Sequence, residues 1–129
     1  MSFYPCRGGG MKPFDFCIAG TSGSTNTNGA ISAIAIFPFD FIKRVEIFDL
    51  LGNVDNGKIT ITAYGLSEIS TSDVNNKINT ATATRTDVSK ENPLILDLSS
   101  APKYSYIALY LTGTNWNYAQ KAIMTIYPR

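Results

Sequence analysis

Histidine does not occur anywhere in this chain of 129 residues. Its absence removes the commonest general base, the commonest metal ligand and the nucleophile–His pairings of most hydrolases. Paired carboxylates would still allow catalysis, but the ten Asp and Glu residues form no telling pattern. A metal would have to be held by oxygen or thiolate ligands alone. The sequence therefore reads as non-enzymatic, with no cofactor and no metal.

Long apolar runs are missing too. The longest, from Ala30 to Ile42, is interrupted by Ser32, Pro38 and Asp40 and is too short to span a bilayer. Met1 is followed by polar and glycine residues rather than a charged segment and an apolar one, so no signal peptide is visible. A soluble chain made in the cytoplasm, with no membrane partner, is the expectation. Cysteine is nearly absent, at Cys6 and Cys17 only. A disulfide between them would close a loop around Gly8-Gly9-Gly10 and contribute ~3 kcal/mol in the loop-closure model. Without an export signal, two free thiols are the expected state. Charge is sparse and balanced: the formal net charge is +1 and the eleven basic residues are scattered. Lys43-Arg44, the only adjacent basic pair, sits among Phe41, Ile42, Val45 and Ile47 and reads as the solvated side of a strand. No concentrated basic stripe marks a nucleic-acid partner.

What remains is alternation. In Lys58-Ile59-Thr60-Ile61-Thr62-Ala63-Tyr64, Ile59, Ile61 and Ala63 point one way and the polar residues the other, the period of a half-buried strand. Similar runs recur at Phe14–Ala19, Ile31–Phe37, Phe41–Phe48, Ile78–Thr86, Pro93–Leu98, Tyr104–Leu111 and Lys121–Tyr127. Leu94, Leu96 and Leu98 form one core face, and Ile107, Leu109 and Leu111 another. Gly, Asn, Asp or Pro closes each run, with Asn56-Gly57 supplying the step into Ile59. Roughly eight or nine strands in one domain predict an all-β fold: an antiparallel β-sandwich of jelly-roll type over residues 14–129. Residues 1–13, with aromatics, Pro, Cys and three glycines, read as an extended N-terminal arm outside it.

Two constellations stand out. Trp116 is the only tryptophan, flanked by Asn115 and Asn117 and followed by Tyr118. An exposed indole with amides beside it can stack on a sugar ring while the amides donate and accept hydrogen bonds. Trp116 would alternatively plug one end of the core. The second is a set of strand faces: Ile78, Thr80, Thr82, Thr84 and Thr86 share one side, and Tyr104, Tyr106 and Tyr110 share another. With Phe3 and Tyr4 of the arm, these threonines and tyrosines are the expected subunit contacts, since neither face carries an ordinary core load. Asn53, Asp55 and Asn56 lack the spacing of a calcium loop and read as turn chemistry.

The opening Met1-Ser2-Phe3-Tyr4-Pro5-Cys6-Arg7-Gly8-Gly9-Gly10 resembles the start of small structural proteins of tailed bacteriophages and prophages. PLILDLSSAPKYSYIALYL, from Pro93 to Leu111, is similar to the late strands of galactose-binding-like jelly rolls. The first resemblance implies a virion structural protein, made in the host cytoplasm, that contacts other virion proteins as a capsid decoration, head-fibre or tail-associated module. Symmetric self-association, a trimer in the first instance, would accompany it. The alternative is a carbohydrate-binding module that holds a surface glycan through the Trp116 loop.

Overall fold

The computed structural model describes residues 2–5, 14–19, 30–51, 57–114 and 121–129. Nine strands run through them: β1 (Ser2–Pro5), β2 (Phe14–Ala19), β3 (Ala30–Pro38), β4 (Arg44–Leu51), β5 (Lys58–Leu66), β6 (Lys77–Thr84), β7 (Leu94–Asp97), β8 (Tyr106–Thr114) and β9 (Lys121–Tyr127). The only helical pieces among the described residues are 3-10 turns at Phe39–Phe41 and Arg85–Asp87.

The strands form two antiparallel sheets, one ordered β1-β2-β9-β4-β7 and the other β3-β8-β5-β6. Apart from β1, chain neighbours from β2 to β9 never lie side by side within the larger sheet. This interleaving is that of a jelly-roll sandwich, as the alternation predicts. The inward residues are those the period of two selects. Ile59, Ile61 and Ala63 of β5 and Ile107, Leu109 and Leu111 of β8 meet Val45 and Ile47 of β4, Leu96 of β7, and Met124 and Ile126 of β9. All are buried, each large side chain contributing about 1.5–3 kcal/mol through removal from water. β-branched isoleucine on one face and threonine on the other suit β5 to a half-buried pleat.

Four local departures from the sequence reading have physical causes. Ser2–Pro5, expected to stand outside the sandwich, pairs with β2 from Ser2↔Ala19 to Pro5↔Phe16 and forms the outer strand of the larger sheet. An edge position accepts Pro5, which has no amide proton to offer a further neighbour. The strand expected from Phe41 starts only at Arg44, because Pro38 is followed by the tight turn over Phe39–Phe41, where Ile42 N–H donates to Phe39 O at 3.4 Å. Ile78 was grouped with the threonines, but the β5–β6 register shifts between Ala63 and Tyr64 and Ile78 packs against the core. Thr86 leaves the threonine face for the turn after β6.

The sheets also join at their margins. Asn79 Nδ2 on β6 donates to the Asp97 carbonyl on β7 at 3.0 Å, tying the edge of one sheet to the edge of the other.

Candidate functional site

The small sheet buries one face and leaves the other to solvent. Register fixes which residues share the outer face. One row across the strands runs Ile34, Tyr110, Thr62, Thr80, and the next runs Ser32, Thr112, Thr60, Thr82. A third brings Ile36, Ala108, Tyr64 and Lys77 together. Each row steps about 4.8 Å from strand to strand, and rows lie about 7 Å apart along them. Thr80, Thr82 and Thr112 are exposed, Thr60, Thr62, Tyr64 and Tyr110 half-buried. Ile34 is 39% exposed beside Tyr110, whereas Ala108 in the next row is fully buried. The described side chains of the first two rows carry no charge. Lys77, at the end of the third row, and Lys58, one step beyond Thr60, are about 20 Å apart along the strand direction.

Cross-strand contacts order this face. Thr60 and Thr82 hydroxyls lie 2.8 Å apart and those of Thr62 and Thr80 2.9 Å apart. Thr80 Oγ1 also donates to the Ile61 carbonyl at 3.2 Å. Tyr64 and Tyr110 meet edge to face with ring centroids 5.0 Å apart. The Tyr110 hydroxyl donates to Thr71 O at 2.7 Å, pinning the connection between β5 and β6 over one end of the sheet. Burial raises the Tyr110 phenol above its ordinary value, with smaller contributions from Tyr64 and the Asp73 carboxylate.

The residues that the sequence singles out separate accordingly. Thr80, Thr82 and Tyr110 come together on this face with Tyr64, Thr60, Thr62 and Thr112. Thr84 stands at the end of β6, where its hydroxyl donates to Asp87 Oδ2 at 2.5 Å. Tyr106 is half-buried at the start of β8, opposite Leu66 and Pro38. Tyr104 precedes the strand; its ring packs against the core and lies directly over Gly65, so the three tyrosines do not form one row. Phe3 and Tyr4 occupy β1 opposite Ile18 and Cys17. Asn115, Trp116, Asn117 and Tyr118 fall outside the described residues, as do Cys6 and the Asn53–Asn56 turn. Tyr64, Thr60 and Thr62 were legible only as the polar side of a strand. Their threonine partners depend on a register that is set by the long connection 67–76.

Elsewhere the surface is ordinary. Lys43 is exposed, as read from the sequence. Arg44 Nε lies 2.8 Å from Glu46 Oε2, and its guanidinium sits 4.3 Å from the Tyr127 ring centre. Among the described residues no group of three acidic or cysteine side chains gathers to hold a metal, and no helix is long and apolar enough to cross a membrane.

No family model matches the sequence, and no curated protein matches it, so the phage-like opening finds no counterpart among them. Among solved structures the fold is similar to TmCBM61, a carbohydrate-binding module determined in complex with β-1,4-galactotriose. The two chains are 10% identical, with a TM-score of 0.41 over 91% of this chain and 63% of that one. This chain thus spans less than two thirds of that module's length.

Proposed function

We propose that this protein is a non-catalytic carbohydrate-binding module and that the outer face of the small sheet is its binding surface. Jelly rolls serve both capsids and lectins, so the topology does not choose between them. The chemistry of the face supports the lectin-like reading. The observation that carries the reading is the uncharged pair of rows in which Thr60–Thr82 and Thr62–Thr80 hydroxyl pairs adjoin the Tyr64–Tyr110 aromatic pair. A sugar offers the same mixture of C–H faces and hydroxyls. Threonine and tyrosine meet it with apolar body and polar tip together, on side chains already held in place. Asn115, Trp116, Asn117 and Tyr118, which follow β8 directly in the chain, are further candidates for sugar contact.

A printed array of neutral and acidic glycans, followed by calorimetry on the hits, tests this. Tyr64→Ala and Tyr110→Ala should each weaken binding about tenfold or more, equivalent to ~1.4 kcal/mol, with the strand signature in circular dichroism retained. Trp116→Ala measures the loop's share. Retention of no glycan by the wild-type protein would end the proposal.

A further inference from the structure

Resting on that reading, we infer that the Thr62–Thr80 pair is a hydrogen-bond acceptor at the centre of the small sheet's outer face, placed to read a glycan through a hydroxyl that donates to it. The inference comes from following the hydroxyl protons of the bonded residues on that face. A hydroxyl has one proton to donate and two lone pairs to accept with. Thr80 spends its proton on the Ile61 carbonyl, so the proton between Thr62 and Thr80 belongs to Thr62. Neither then has a proton to offer a ligand, and the remaining lone pairs of exposed Thr80 and half-buried Thr62 are left to accept. Tyr110 spends its proton on Thr71 O, and Thr84 spends its own on Asp87. The Thr60–Thr82 pair uses one of its two protons internally.

The surroundings reinforce this bias. Burial first, then Tyr64 and the Asp73 carboxylate, raise the Tyr110 phenol, and that carboxylate brings negative charge near this end of the face. Lys77 lies opposite Tyr64 in the neighbouring row and Lys58 one step beyond Thr60, so neither shares the row of the Thr62–Thr80 pair.

Such a surface discriminates. A neutral glycan with free hydroxyls presents donors to every exposed lone pair. An O-methylated sugar cannot donate, leaving oxygen against oxygen without a proton at the Thr62–Thr80 pair.

The test uses the full chain against neutral hexose oligosaccharides printed free and per-O-methylated, with Thr62→Val and Thr80→Val beside the wild type. Valine keeps shape and strand propensity, and thermal melting verifies folding. The expected result is binding to free oligosaccharides, at least tenfold weaker binding to the methylated forms, and at least tenfold loss in each valine variant. Thr62→Ser, which keeps the hydroxyl, should bind within a few-fold of wild type. Equal binding of free and methylated sugars, or valine variants that bind like wild type, would overturn the acceptor assignment and leave the carbohydrate reading standing. Binding to none of the oligosaccharides would overturn both.

Discussion

Gly65 is where a single hydrogen matters most. It lies within β5 beneath the Tyr104 ring, and a β-carbon there would run into that ring. Gly65→Ala should cost about 1–3 kcal/mol through overpacking, read as a lower urea midpoint. Combining it with Tyr104→Ala should recover part of the loss, since the two changes share one contact. Arg129 works in the opposite sense, by adding bonds. Its Nε donates to Phe39 O at 3.1 Å and its Nη2 to Leu98 O at 2.8 Å, while the guanidinium stacks 3.8 Å from the Phe39 ring centre. Arg129→Ala should lower stability by about 1 kcal/mol, and Arg129→Lys should lose most of that, because an ammonium cannot keep the planar fork. Tyr110 gives the molecule an alkaline limit. Its folded phenol ionises above the ordinary 10.0, so the contribution is whole below that value and is lost as pH rises through the raised one. Unfolding followed against pH should show a decline above about 10 that Tyr110→Phe makes shallower. An unchanged slope would remove Tyr110 as its source.

At the scale of the strand, what could be read from the chain depended on whether one segment contained the whole signal. Ile59, Ile61 and Ala63, or Ile107, Leu109 and Leu111, declare their buried side locally, and the structure buries them. Ile78 could not be placed that way. The bulge opposite Tyr64 that turns it inward is a property of two strands. Tyr104 looked like part of a tyrosine row because spacing continues past a strand end. In fact Ser105 N–H donates to Leu66 O at 3.1 Å before the β8 ladder begins. The threonine face was legible as a row on β6. Its pairing with Thr60 and Thr62 was not, since that requires the register across residues 67–76. Strand β1 carries its own expectation. Removing residues 1–5 exposes the backbone edge of β2, and such an edge promotes association between chains. Light scattering should detect more aggregate on warming than in the full chain.

Across the whole molecule, the two sheets share one core, and the Asn79–Asp97 bond fastens them at a margin. Heat unfolding should therefore give one transition, with fluorescence and circular dichroism midpoints coinciding. Strand β9 adds a further constraint. It lies between β2 and β4, pairing Phe14↔Ile126 on one side and Val45↔Ile126 on the other. The ninth strand in chain order is thus a central plank of the larger sheet. Until Lys121–Tyr127 has been made, β2 and β4 face an empty slot with apolar residues uncovered. Closure of this sheet waits for β9 and proceeds slowly, as distant pairings require.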